Sequence, residues 1–182
     1  MDNKNLVKLG KRLAYILRHC PESANICLDS HGWAQSRDIC RALNINMETL
    51  ELIVSTDNKG RYVFDTYKKR IRAAQGHSIN VDLELQETIP PDILYHGTAR
   101  KNIPLLFQDG IQKMSRQYVH LSKDIETALN VGRRHGEPVI FVIDAKQMLV
   151  DGYKFYLSEN NVWLTDYVPQ KYISLFSEQF YI

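Results

Sequence analysis

The stretch Ile71-Arg72-Ala73-Ala74-Gln75-Gly76-His77-Ser78 constrains this chain more than any other. It stands where one kind of sequence gives way to another. Residues 1–80 hold thirteen Lys+Arg against eight Asp+Glu, a balance of +5, and residues 81–182 hold ten against thirteen, a balance of −3. The front part reads as helix-rich and basic, the back part as strand-rich and acidic. Within eight residues the junction carries an arginine, a histidine, a glycine and side chains that donate and accept hydrogen bonds. That inventory grasps anions, and lobe boundaries are where binding clefts tend to form. A basic front part suits a polyanionic partner, because phosphate contacts release counterions. A modest charge bias on a solvated surface accounts for the same numbers equally well.

At 182 residues and 44% hydrophobic content, the chain suffices for one large domain or two small ones with packed cores. No apolar run approaches a membrane span, and Met1-Asp2-Asn3-Lys4 lacks the apolar core of a signal peptide. Cys20, Cys27 and Cys40 fit neither a zinc site nor a disulfide framework, so a reduced, cytoplasmic setting is expected. A monomer is the default.

Leu6, Leu9, Leu13, Ile16 and Leu17 recur at helical spacing, and Pro21 predicts that this helix ends near His19. Arg18 and His19 then project from a helix C-terminus, whose dipole favours cations. Leu28-Asp29-Ser30-His31-Gly32-Trp33 reads as an extended piece and a turn. Ser36 is expected to cap a helix through Leu43, and Asn46 another through about Ser55. Asp57-Asn58-Lys59-Gly60 is a turn, followed by a hairpin of Arg61–Phe64 and Arg70–Ala73. Three short helices and a hairpin suggest a winged helix over residues 1–80. Residues 79–92 read as a crossing strand that breaks at Pro90-Pro91, with 81–92 as linker.

A second lobe over 93–182 opens with Leu94–Thr98, a strand running into a turn at Gly97. Asn102 is expected to cap a helix closed by Gly110. Tyr118–Leu121 is a strand, with Ser122 capping a helix from Lys123 to about Arg134. Pro138–Ile143 is the most apolar run and should be a central strand. Val162–Leu164 and Tyr172–Phe176 add two more. The fold class is α+β.

Several chemistries find no support. The sequence has no Walker or dinucleotide glycine loop, no Gly-x-Ser-x-Gly elbow and no His-Glu-x-x-His zinc motif. Arginines and histidines instead recur beside glycines: Arg18-His19, Arg72 with Gln75-Gly76-His77-Ser78, His96-Gly97-Thr98, His120-Leu121-Ser122, and Arg133-Arg134-His135-Gly136. The planar guanidinium fork matches phosphate oxygens, so the set points to phosphate binding without a metal. Each cluster alone is more often a helix end, a turn or a surface pair.

The chain resembles the RNA 2′-phosphotransferase family, known in bacteria as KptA. The resemblance rests on Leu17-Arg18-His19-Cys20-Pro21, Leu28–Trp33, Ile71–Ser78, Leu94-Tyr95-His96-Gly97-Thr98, Val119-His120-Leu121-Ser122, Val131-Gly132-Arg133-Arg134-His135-Gly136 and Asn160-Asn161-Val162-Trp163-Leu164-Thr165, in the family's order. Ala74 departs from the usual Asn or Val, and Asn161 from a usual glycine.

The resemblance implies a winged-helix lobe joined to an ADP-ribosyltransferase-like lobe, with the active site between them. It implies RNA bearing an internal 2′-phosphate and NAD⁺ as co-substrates. The phosphate displaces nicotinamide, and the 2″-hydroxyl of the ADP-ribose then attacks phosphorus. The products are RNA with a 2′-hydroxyl and ADP-ribose 1″,2″-cyclic phosphate. The family's Arg-His-Arg-Arg set falls on Arg18, His19, Arg72 and Arg134, the last chosen over Arg133 for its place before His135-Gly136. Gln75, Gly76, His77 and Ser78 are expected at the RNA phosphate. Tyr95, His96, Gly97, Thr98, His120, Leu121, Ser122 and Gly132 are expected at NAD⁺. No metal is implied. Two further readings stay open: a transferase that ADP-ribosylates a protein or a terminal phosphate of a nucleic acid, and a nucleic-acid-binding module whose second lobe is catalytically dead.

Overall fold

The computed structural model describes residues 3–176. The chain divides into two compact units, Met1–Glu84 and Leu85–Ile182. Each has its own core.

The first unit begins with α1 (Asn3–Arg18), whose apolar stripe buries Leu13, Ile16 and Leu17. A short strand β1 (Ala34–Gln35) leads directly into α2 (Ser36–Leu43), and α3 (Met47–Ser55) follows. Asn46 caps α3, its side chain accepting from the Thr49 amide at 2.9 Å, as the sequence predicts. Ser36 does not cap α2. The chain enters that helix straight from β1, so Gln35 takes the cap position, and the Ser36 amide donates to the Lys69 carbonyl at 2.8 Å.

The hairpin is formed by β2 (Tyr62–Phe64) and β3 (Arg70–Ala73). The order β1-β3-β2 makes β3 the middle strand, with Ala34 opposite Ile71 and Val63 opposite Arg72. Ile71 and Ala73 are fully buried with Leu13, Leu17, Ile39 and Leu50. The expected crossing strand over 79–86 is not formed. No strand forms over those residues, and the Asp82 amide donates to the Ser30 carbonyl at 2.8 Å.

The second unit is built on β4 (Ile93–Ala99), after which come α4 (Ile103–Asp109), β5 (Ile111–Gln112), β6 (Val119–Leu121) and α5 (Ile125–Gly132). Next are β7 (Pro138–Asp144), α6 (Ala145–Val150), β8 (Tyr156–Leu157), β9 (Trp163–Thr165), β10 (Tyr167–Val168) and β11 (Ile173–Leu175). Pro138–Ile143 does form a central strand: β7 pairs with β4 on one side and β11 on the other, all antiparallel. A second sheet has the order β6-β9-β8, and β5 pairs with β10. The core gathers Leu94, Phe141, Ile143, Met148, Phe155 and Trp163.

Two local expectations are corrected here. Gly97 sits inside β4, opposite Ile140, and not in a turn. A Cβ at this position would lie 1.7 Å from the Ala128 carbonyl oxygen, so the missing side chain lets α5 lie flat on the strand. Gly132 serves the same contact from the helix side, with a Cβ there falling 2.9 Å from the Thr98 carbonyl. Nor does Ser122 cap α5. Asp124 does, accepting from the Thr127 amide at 2.7 Å, while Ser122 exchanges both backbone hydrogen bonds with Tyr95. Asn161, where the resemblance leads one to expect glycine, takes φ +60°, a left-handed conformation that asparagine tolerates.

Candidate functional site

In the first unit, two segments more than fifty residues apart in sequence are tied together. The Ser78 amide donates to the Arg18 carbonyl at 2.9 Å, and His19 Nδ1 lies 2.9 Å from Ser78 Oγ. Gly76 has φ +88°, and a Cβ there would stand 3.5–3.6 Å from Cζ, Nε and Nη1 of Arg18. The glycine therefore supplies a left-handed turn and a flat surface for the guanidinium. Arg18 is half-buried at the end of α1, and His19 is exposed just beyond it.

Arg72 comes from the middle strand and is only 8% exposed. Its Cζ lies 4.5 Å from the centroid of the Trp33 ring, and Nη1 donates to the His31 carbonyl at 3.4 Å. A cation over an indole face is worth about 0.5–2 kcal/mol, depending on desolvation. Asp29 fixes the turn that presents Trp33: Oδ1 accepts from the amides of His31 and Trp33, both at 2.9 Å. Arg70, at 5.2 Å, also faces the Trp33 ring. The Leu28–Trp33 segment had no assigned role in the sequence. Its task here is to orient Arg72.

His77 is placed differently from its neighbours. Its ring is 1% exposed, and neither ring nitrogen has a hydrogen-bond partner among the described residues. Burial pushes its pKa down to about 4, and the charges of Arg18, His19 and Arg72 press the same way. His77 is thus a neutral ring packed behind the cations, and Gly32 (φ +77°) leaves room for Nε2. Gln75 and Gly76 are partly exposed, and Ser78 is exposed.

In the second unit, the residues expected at NAD⁺ fall into two groups. His96 Nδ1 lies 3.2 Å from the His120 carbonyl, and Tyr95 pairs with Ser122 along the backbone. Thr98 is buried, its Oγ1 accepting from Asn102 Nδ2 at 2.9 Å. Burial lowers the His96 pKa, the bond to the His120 carbonyl works against that shift, and the charges of His135 and Arg116 add to it. Leu121 belongs to the core, and Gly97 and Gly132 serve packing, so the partly exposed members of this set are Tyr95, His96, His120 and Ser122.

Arg134 follows α5 and is exposed, with no hydrogen bond or ion pair from its guanidinium among the described residues. Arg133, by contrast, turns back onto the helix, donating to Asn130 Oδ1 at 3.3 Å.

Comparison with known proteins identifies relatives over nearly the whole chain. The sequence model for "RNA 2'-phosphotransferase, Tpt1 / KptA family" matches residues 4–167. A protein of Fusobacterium nucleatum is 54% identical over 179 residues, covering 95% of this chain and 99% of its own length. One from Trichormus variabilis is 46% identical, with 96% and 99% covered. One from Flavobacterium johnsoniae is 47% identical, with 94% and 97% covered. All three bear the name "Probable RNA 2'-phosphotransferase".

Proposed function

From the premise that this chain belongs to the RNA 2′-phosphotransferase, Tpt1 / KptA family, we propose that it transfers an internal RNA 2′-phosphate to the ADP-ribose of NAD⁺. In this reading the first unit is a winged-helix lobe that receives RNA, and the second an ADP-ribosyltransferase-like lobe that receives NAD⁺. The observation that carries the proposal lies in the first unit. Arg18-His19 and Arg72–Ser78, distant in sequence, meet through Ser78 and Gly76, which sets two guanidiniums and an imidazole around one neutral histidine.

The chemistry assigns each residue a task. A phosphate monoester has a second pKa of about 6, so it is mostly dianionic at neutral pH and needs no base to attack the nicotinamide-bearing carbon. It does need to be held. Arg18 and Arg72 supply planar donors for its oxygens, and Arg72 is pre-oriented on Trp33. Positioning of this kind lowers a barrier by up to roughly 7–11 kcal/mol. The second step differs, because the 2″-hydroxyl must lose a proton and the departing RNA 2′-oxygen must gain one. His19 is the group for both transfers: it is exposed, and its Nδ1 lies 2.9 Å from Ser78 Oγ. Arg134 stabilises charge at phosphorus. The products are RNA with a free 2′-hydroxyl, nicotinamide and ADP-ribose 1″,2″-cyclic phosphate.

Incubation of an oligoribonucleotide bearing one internal 2′-phosphate with NAD⁺ tests this directly. Loss of the RNA phosphate together with the cyclic phosphate product is expected. A stable ADP-ribosyl group on an RNA end or on a protein, with no phosphate released, would replace this reading with the other transferase. His19→Ala should slow the second step more than the first and accumulate ADP-ribosylated RNA; equal slowing of both steps would remove His19 from proton transfer.

A further inference from the structure

Tyr67 sits at the tip of the β2–β3 hairpin, 79% exposed, outside every segment that carries the family resemblance. A single exposed apolar residue is ordinary on a protein surface. This one is held in a fixed turn, with a cation beside it and Arg72 on the strand that follows.

Asp65 closes the turn. Its amide donates to the Arg70 carbonyl at 3.0 Å, and its carbonyl accepts from the Lys68 amide at 2.9 Å. Oδ1 accepts from the amides of Lys69 and Arg70 at 2.8 and 3.1 Å, and Oδ2 from Arg70 Nε at 3.3 Å. The carboxylate is thus spent on the turn's own backbone and on Arg70. Lys68, left-handed at φ +54°, pairs with Glu51 and anchors the turn to α3. Lys69 is exposed and has no carboxylate partner among the described residues. Its Nζ lies 5.8 Å from the centroid of the Tyr67 ring, within cation–π range. An unpacked aromatic face and an uncompensated ammonium therefore stand side by side. Single-stranded RNA fits both, because each unpaired base offers a π face and each phosphate a negative charge.

We infer that Tyr67 and Lys69 form a second RNA contact in the first unit. The ring stacks on an unpaired base, and the ammonium meets a neighbouring phosphate. Tyr67 precedes Arg72 by five residues, which in extended chain reach at most roughly 17 Å. At about 3.4 Å of rise per stacked nucleotide, the base lies within about five nucleotides of a phosphate held by Arg72. The placement of the 2′-phosphate at Arg72 rests on the proposed function; the stacking contact does not.

The test is fluorescence-anisotropy titration of the full chain with single-stranded RNAs bearing one internal 2′-phosphate. One RNA has a single nucleotide on either side of the modified one, the other about eight. Tyr67→Ala is expected to weaken the long RNA by at least about fivefold, the loss of one base–aromatic stack, and to leave the short RNA within about twofold of wild type. Tyr67→Phe keeps the ring and should bind both RNAs like wild type. Lys69→Ala should lower the salt slope of long-RNA binding by about 0.7, as one lost phosphate contact does on a single strand. The Tm of Tyr67→Ala should match wild type, because a ring this exposed packs against little. Long-RNA affinity within twofold of wild type in Tyr67→Ala would overturn the contact, and so would equal weakening of both RNAs. The long RNA made without its 2′-phosphate separates this inference from the proposed function. If Tyr67→Ala also weakens that RNA fivefold while the wild type shows no preference for the phosphorylated one, the contact stands and the function falls. If Tyr67→Ala leaves long-RNA affinity unchanged while the wild type still transfers the phosphate, the contact alone falls.

Discussion

The two units hold their cations in opposite ways. In the first, Arg72 is nearly buried on the middle strand of a sheet, stacked on Trp33 and bonded to the His31 carbonyl, and Arg18 rests on the bare Cα of Gly76. In the second, Arg116 stands in a loop and Arg134 just past a helix, both exposed. Buried groups are set by the fold and are part of it; exposed groups are carried by the fold and contribute little to it. The first arrangement fixes geometry before a ligand arrives, at a cost in desolvation. The second leaves the side chains less restrained by the fold. Substitutions should therefore separate stability from binding in the second unit and mix them in the first.

The largest expected effect tests whether the second unit depends on its scaffold rather than on its cations. In Gly97→Ala the new methyl would meet the Ala128 carbonyl, which belongs to helix backbone and cannot swing aside. Overpacking typically costs 1–3 kcal/mol where side chains can yield. Against backbone the loss should exceed about 3 kcal/mol, read as a fall in the urea midpoint of the second unit. A loss below about 1 kcal/mol would mean that α5 can slide on β4.

The next effect belongs to the first unit and is a pH dependence. His77 titrates near 4 when folded and near its ordinary 6.5 when unfolded. Its folded pKa is depressed, so between these values the unfolded chain binds the proton more readily. Stability from this group is fully present above pH 6.5 and is lost as the pH falls towards 4. The window spans about 2.5 pH units at 1.36 kcal/mol each, or about 3 kcal/mol. His77→Phe keeps a ring of similar size and removes the titration, so its urea-unfolding free energy should be flatter between pH 6.5 and 4. An acid limb as steep as wild type would assign the loss to other groups.

Sequence reading reached far into both arrangements, with failures that have physical causes. Helical spacing, a proline and an asparagine cap are local signals, and α1 and α3 follow them. The apolar run at 138–143 marks the central strand because only a strand covered on both sides is apolar throughout. Gly97 was misread because a glycine needed for a turn and one needed for close packing look alike until the helix it meets is known. The residues over 79–86 alternate as a strand would but form none, because pairing in a ladder is not written in a single segment. Arg18, His19 and Arg72 were legible as residues, but their meeting through Ser78 was not, since no spacing encodes a contact across sixty residues.

The smallest expected effect is the sharpest test of the difference between the units. Arg134 is exposed and its guanidinium makes no hydrogen bond or ion pair among the described residues, so Arg134→Ala removes no side-chain hydrogen bond from the second unit. The change in unfolding free energy should stay within about 0.5 kcal/mol, as for surface positions generally. Arg72→Ala, made in parallel, removes a stack on Trp33 and a hydrogen bond to a carbonyl, and leaves that carbonyl without its donor. It should cost about 1–3 kcal/mol. Both variants should lose turnover on 2′-phosphorylated RNA by on the order of a hundredfold or more, because the proposed function makes each a donor to developing charge. Equal activity losses with unequal stability losses would show that the units meet the same chemical demand from different structural starting points. If Arg134→Ala destabilised as much as Arg72→Ala, the exposed arginine would be part of its scaffold after all, and the contrast between the units would fail.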